Sequence, residues 1–474
     1  MIKKLYIRYR DASPAVKASM ALLFANLVLK GLSLISGPVF TRIMTTEQYG
    51  IVSTFLSWQS MLSVIITLNL SQGVFNNGML DYKEDRDTFQ FSLLFITSVM
   101  TIVFTGIFFC FKQYFLTMFE LPEVLIFIML AGFFTVPAYS FWSGRQRYEF
   151  KYKALTLITI CNSVLALVIG IVAVVFVPSS QTAIARVCAM EGVNIAIGLF
   201  FYIYIGIKAK FKFKFSYCKY ALKFNIPLLP HYLSMYVLAS SDRIMITKMI
   251  NASATAIYSV AYTVASVINI FWGSIEASLS PWIYEKLDQG DRNSVKNTSG
   301  KIMVFFAMMC ISCTLFAPEI MKILAPSSYS GGIYAIPAVS AGVFFTAMYS
   351  LYMRVELFYK QTGFATIATT MAALANIGLN YVCISRFGYI AAGYTTMICY
   401  ALLALFHYFN VQKKGFSDVF NNKLFMLVSM AVILLASIVS ILYTYTIIRY
   451  CVIACVLVFG ILKRKIIISI IFRK

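Results

Sequence analysis

Long apolar runs of about 20 residues, parted by short stretches rich in Lys, Arg, Pro or Gly, follow one another along all 474 residues of the sequence. At about 1.5 Å of rise per helical residue, each run covers the roughly 30 Å of hydrocarbon in a bilayer. Lipid offers the backbone no hydrogen-bond partners, so only helices and closed barrels span it. A barrel would show segments of about ten residues alternating in polarity, and these runs neither alternate nor stop that early. The predicted class is therefore an all-α polytopic membrane protein, consistent with 60% hydrophobic and 12% charged residues. Fourteen transmembrane helices are expected, near residues 18–39, 48–70, 89–111, 123–142, 154–177, 183–207, 221–245, 252–280, 300–324, 333–353, 364–385, 389–411, 423–443 and 447–462.

Charge sets the orientation. Of the 40 Lys and Arg, 31 fall at the termini and in alternate connections, eight in the other connections, and Lys30 lies inside the first span. Cytoplasmic connections retain basic residues, so both termini are expected in the cytoplasm of a multi-pass protein of the cytoplasmic membrane. That asymmetry, with contacts to anionic lipids, accounts for the net charge of +22 without a nucleic-acid partner. Lys3, Lys4, Arg8 and Arg10 precede the first apolar run as in a signal peptide, but the run is long and lacks a small-residue cleavage site, so it reads as a retained span.

Several chemistries are excluded. No connection exceeds about 20 residues, which leaves no room for a soluble catalytic or nucleotide-binding domain, and no GxxxxGK[ST] phosphate loop occurs. Nine of the ten cysteines lie inside apolar runs and read as small packing residues. Cys310 and Cys313 have CxxC spacing without a redox-domain context, and His231 and His407 are too few and too far apart for a metal site. Neither a metal, a cofactor nor enzymatic activity is expected.

An internal echo divides the chain. Arg42-Ile43-Met44 closes the first span and Arg243-Ile244-Met245 the seventh, 201 residues on. An even number of intervening spans makes such repeats parallel. The expected organisation is an N-terminal six-helix lobe over 1–210, a C-terminal six-helix lobe over 211–415, and two further helices with a basic tail over 416–474.

Polar residues inside spans are costly, and ionisable ones point to function. Lys30 lies deep in the first span, with Asn26, Ser33 and Gly37 on its face; it either pairs with a carboxylate or lines a polar cavity. Tyr258, Tyr262, Ser266, Asn269, Gly273, Glu276 and Ser280 recur every three or four residues along the eighth span, a stripe that faces other helices or water. Ser53, Ser57, Ser60, Thr67 and Ser71 repeat the pattern in the second span, and Thr366, Thr369, Asn376 and Asn380 in the eleventh. Arg42, Asp242 and Arg243 sit near span ends, as interfacial anchors and an ion pair or as guanidinium forks for phosphate or carboxylate. Glu191 in the sixth span is a candidate proton or cation site.

Short motifs in order complete the reading: Gly37-Pro38-Val39-Phe40-Thr41-Arg42 with Glu47-Gln48-Tyr49-Gly50, Asn225-Ile226-Pro227-Leu228, Asp242-Arg243-Ile244-Met245 with Ile257-Tyr258-Ser259, Ala373-Leu374-Ala375-Asn376, and Arg386-Phe387-Gly388-Tyr389. In these the chain resembles the polysaccharide flippases that move polyprenyl-pyrophosphate-linked O-antigen or capsule repeat units, within the multidrug and oligosaccharidyl-lipid exporter superfamily. Ala256 departs from the glycine usual before the Ile-Tyr pair. The resemblance implies two pseudo-symmetric six-helix lobes around a central cationic cavity, working by alternating access. It also implies a polyprenyl-pyrophosphate-linked oligosaccharide as cargo, with membrane lipids, a glycan polymerase and chain-length machinery as partners. Lys30, Arg42, Arg243, Asn26, Tyr262 and Asn269 are the expected substrate-binding residues, and Asp242, Glu276 and Glu191 the expected coupling groups or structural ion pairs. Two alternatives stand beside this one. A cation-coupled multidrug exporter would more naturally carry acidic sites, and a glycan polymerase would need a larger external loop or a catalytic dyad.

Overall fold

The computed structural model describes residues 14–359 and 362–462; the basic N-terminal residues Lys3, Lys4, Arg8 and Arg10 and the C-terminal tail from Lys463 lie outside them. Among the described residues there are eighteen α-helices and no strand. They divide into two compact units, residues 1–233 and 234–474.

Unit 1 contains α1 (Pro14–Ile43), α2 (Thr46–Ile66), α3 (Val74–Asp81), α4 (Arg86–Cys110), α5 (Lys112–Phe119), α6 (Glu123–Tyr148), α7 (Tyr152–Val175), α8 (Thr182–Lys208) and α9 (Phe215–Asn225). Local chemistry starts these helices where they start: Thr45 caps α2 by accepting from the Gln48 amide at 3.3 Å. Two aromatic clusters hold the unit. One gathers Phe75, Phe89, Phe141, Trp142 and Phe201, the other Phe40, Phe55, Phe108, Phe119 and Phe133. Gly198 lets α8 approach α6 closely, since a Cβ there would stand 2.7 Å from the Thr135 carbonyl.

Unit 2 contains most of α10 (Leu229–Met249), then α11 (Ala252–Asp288), α12 (Arg292–Leu315), α13 (Ala317–Leu324), α14 (Ile336–Phe358), α15 (Thr362–Phe387), α16 (Ile390–Lys413), α17 (Asn422–Leu442) and α18 (Thr446–Leu462). Its axis is α14, 89% of whose spanning window is buried, against α16, α11, α12 and α17. Asn251, Asp291 and Asn421 cap α11, α12 and α17 with their side-chain oxygens. On α18, Arg449 pairs with Glu319 of α13 at 2.5 Å.

Among the described residues, twelve helices are long and apolar enough to cross a membrane. The apolar surface of α7 shows why lipid is needed: its window has a mean hydropathy of 2.6 and is only 11% buried. The two remaining expected spans correspond to α10, which carries too many polar residues to qualify, and α18, a shorter apolar helix. The expected seventh span begins instead as α9, a separate short helix ended by the Pro227 turn, and the ninth breaks at Phe316 into α12 and α13. Cys110, Cys161, Cys451 and Cys455 are exposed, so those four are not packing residues within the chain.

Candidate functional site

The expected site residues fall into both units. In unit 1, Asn26 and Lys30 are exposed on α1 and make no side-chain hydrogen bond or ion pair with another described residue. Arg42, near the end of the same helix, curls back so that Nη1 donates to the Pro38 carbonyl at 2.8 Å. Glu191 is buried in α8, where it accepts from Asn194 at 3.5 Å and from Gln59.

Arg186 of α8, counted from the sequence among connection residues, lies in an unexpected neighbourhood. A cavity of about 280 Å³ is lined by Ser33, Ser36 and Phe40 of α1, Asn162 of α7, and Arg186 and Asn194 of α8. The Arg186 guanidinium sits over the Phe40 ring at 3.8 Å and the Tyr49 ring at 5.0 Å. Asn162 donates to Asn194 at 3.2 Å, and the buried Asn162 Oδ1 has no hydrogen-bond partner among the described residues. The sequence signal was the recurrence of Glu191 and Asn194 one helical turn apart in an apolar run.

In unit 2 the echo of Arg42 is geometric as well as sequential: Arg243 Nη1 donates to the Ala239 carbonyl, four residues back, also at 2.8 Å. Here the neighbours differ. Asp242 is 1% exposed, receives the Tyr258 hydroxyl at 2.5 Å and the Arg243 amide at 2.9 Å, and lies 3.6 Å from the Arg243 guanidinium. That guanidinium covers the Tyr262 ring at 4.2 Å. Four expected residues, Asp242, Arg243, Tyr258 and Tyr262, therefore form one cluster on α10 and α11. Asn269 lies two turns further along α11, half-buried, with no hydrogen bond to a described residue, and Glu276 is paired with Arg354 of α14 at 2.6 Å.

The other polar stripes have a simpler use. In α2 the hydroxyls of Ser53, Ser57, Ser60 and Thr67 each donate to a carbonyl four residues back on their own helix. Asn376 and Asn380 of α15 are fully buried; Asn376 takes the Ser241 hydroxyl and donates to Thr396, while Asn380 donates to Asn376 and receives the Thr395 hydroxyl. These bonds join α10, α15 and α16.

Outside the spans, a latch closes the basic end of unit 1. Asp85 receives Lys214 at 2.5 Å and the Tyr217 hydroxyl at 2.8 Å, and Tyr220 donates to Asp81 at 2.7 Å. Desolvation pushes the Asp85 carboxyl up, but hydrogen bonds from Lys214, Thr88 and Tyr217 outweigh it and hold Asp85 below its ordinary range. Desolvation and Asp81 push the Tyr220 hydroxyl up to about 12.

Comparison with known proteins bears on both units. The family model described as polysaccharide biosynthesis protein matches residues 15–286. No curated protein sequence matches the chain. The fold is similar to that of the lipid II flippase MurJ in an inward closed conformation, with 16% identity and a TM-score of 0.69 over 95% of this chain and 100% of the other. It is similar to an inward-facing multidrug resistance MATE family transporter of the MOP superfamily, with 12% identity and a TM-score of 0.61 over 85% and 98%. A MOP superfamily transporter from Pyrococcus furiosus aligns with 15% identity and a TM-score of 0.52 over 87% and 98%.

Proposed function

The chain belongs to the polysaccharide biosynthesis protein family, and from that premise we propose that it is a flippase for polyprenyl-pyrophosphate-linked oligosaccharide repeat units. It moves them from the cytoplasmic to the outer face of the cytoplasmic membrane, with both termini in the cytoplasm, for assembly of a surface polysaccharide such as O-antigen or capsule. It acts as a transporter rather than an enzyme, by alternating exposure of its binding residues to the two faces. The two repeats act as lobes, residues 1–210 and 211–415, and a glycan polymerase with chain-length machinery receives the product.

Lys30 carries this reading. An ammonium well inside a membrane-length helix, exposed and unpaired among the described residues, is costly against hydrocarbon and calls for an aqueous or anionic surround. A pyrophosphate supplies the anion, while Arg42 and Arg243 add guanidinium forks suited to phosphate oxygens. The prenyl tail stays in lipid, so only the head group needs its hydration replaced. With about 2.3 kcal/mol per charge per 100 mV, an inside-negative potential drives a doubly charged anion outwards by roughly 4–5 kcal/mol.

The test is deletion of the gene in its host, followed by analysis of surface glycan and of polyprenyl-linked intermediates on each membrane face. Loss of surface polymer with complete repeat units held on cytoplasmic lipid is the expected result, reproduced by Lys30→Ala or Arg243→Ala in a correctly inserted protein. Normal glycan with altered resistance to toxic cations would turn the assignment to a drug exporter. Single repeat units delivered outside but never joined would turn it to a polymerase.

A further inference from the structure

Unit 2 buries an ionisable pair that the cargo does not require. Glu356, near the end of α14, and His407 of α16 are 2% and 0% exposed, and His407 Nδ1 lies 2.8 Å from Glu356 Oε2. The Asn410 amide donates to Glu356 Oε1 at 2.8 Å. Oε1 accepts from Asn410, while Nδ1 and Oε2 share one proton that either atom can donate; with it on Nδ1 the pair is a carboxylate and an imidazole whose Nε2 is bare. The other nitrogen, Nε2, is buried and meets no hydrogen-bonding group among the described residues. The rings of Tyr349 and Phe364 pack on the imidazole, each at 5.8 Å between centroids.

The pair has two protonation states of different net charge. With Nε2 bare it carries −1; with Nε2 protonated it is an imidazolium and a carboxylate and carries none. A buried neutral pair is tolerated far better than a buried net charge, so one proton changes what surroundings the site accepts.

We propose that His407 and Glu356 form a proton-binding site, loaded and unloaded at His407 Nε2, that couples proton movement to the transport cycle. The coupling rests on the transporter reading above. The proton adds to the Nε2 lone pair, and no other bond forms or breaks. Glu356 and Asn410 hold the ring, and the packing of Tyr349 and Phe364 occludes Nε2 in this conformation. Exchange with water therefore requires another conformation, which is the linkage a coupled carrier needs. Among the described residues, Tyr349 stacks on the imidazole, Tyr352 and Arg354 share α14 with Glu356, and Tyr400 and Tyr408 share α16 with His407; Arg354 is already paired with Glu276 of α11. Lys360 lies outside the described residues.

The chain contains two histidines, so full-length protein labelled with carbon-13 in the imidazole rings gives two signals, and His231→Gln assigns that of His407. In lipid nanodiscs the His407 signal is expected to change between neutral and protonated forms as the pH is varied. Glu356→Gln, which keeps the shape of the pair, is expected to alter the pH at which that change occurs. In cells, His407→Gln is expected to lower export at least about tenfold at equal protein level, and the residue of export no longer responds when nigericin collapses the pH gradient. A His407 signal fixed in one form, or wild-type export with unchanged nigericin response in His407→Gln, overturns the proposal. Normal glycan in the deletion strain removes the flippase reading instead and leaves the titration result standing.

Discussion

Asp242 is the residue whose surroundings most need explaining, because a carboxylate 1% exposed survives only with its charge answered. The Tyr258 hydroxyl answers one oxygen, and the Arg243 amide and guanidinium the other. Breaking a buried pair by removing one partner costs about 3–5 kcal/mol, whereas losing one hydrogen bond to a charged group costs about 1.5–3 kcal/mol. Asp242→Ala is therefore expected to lower the thermal unfolding midpoint in detergent more than Tyr258→Phe, and both more than Asn269→Ala, whose side chain meets no described hydrogen-bonding group. Equal midpoints for all three would show that the cluster holds nothing together. The pairing of Asp242 with Arg243 was legible in the sequence, because adjacent opposite charges at a span end have few other partners. The burial was not, since lipid-facing and protein-facing sides of a membrane helix are both apolar and the pattern does not say which one turns inwards.

At the scale of elements, polar stripes divide by what their side chains can reach. The short hydroxyls of α2 return to their own backbone, while the longer amides of α15 cross to α10 and α16, so similar spacing yields one self-satisfied helix and one glued to its neighbours. Outside the membrane, α9 depends on the latch at Asp85. A carboxyl held below its ordinary range contributes stability that is present above that range and lost as the pH falls through the lowered folded value. Lys214 is raised, first by its hydrogen bond to Asp85, so its contribution persists at neutral pH and is lost only at alkaline pH. Asp85→Asn is thus expected to speed hydrogen exchange of the α9 amides at neutral pH, with the difference from the unaltered protein vanishing in acid. An equal difference at both pH values would mean that the carboxylate charge does not hold α9. The sequence merged α9 with α10 because Phe224, Ile226 and Leu228 continue the apolar run across Pro227; the break is conformational, and hydropathy does not register it.

For the whole molecule, the charge asymmetry and the helix count carry different kinds of information. Hydropathy sees length and apolarity, so it finds α7 or α17 readily and treats α10 ambiguously, because the residues that make α10 interesting are those that make it too polar to qualify. The distribution of Lys and Arg is blind to helix interiors but responds to parity, since one miscounted crossing would reverse every later connection. The repeated Arg-Ile-Met falls between the two: Arg42 and Arg243 match in sequence and in their bond to the carbonyl four residues back, while their partners have diverged. Parity makes a claim that no single helix makes. In a variant whose native cysteines are replaced and which still exports, Ser179→Cys, between α7 and α8, is expected to react with a membrane-impermeant maleimide on intact cells. Gly415→Cys, between α16 and α17, is expected to react only after permeabilisation. If both positions react from outside, an even number of crossings lies between them instead of seven, and α8, α10 or one of the apolar helices from α11 to α16 does not cross.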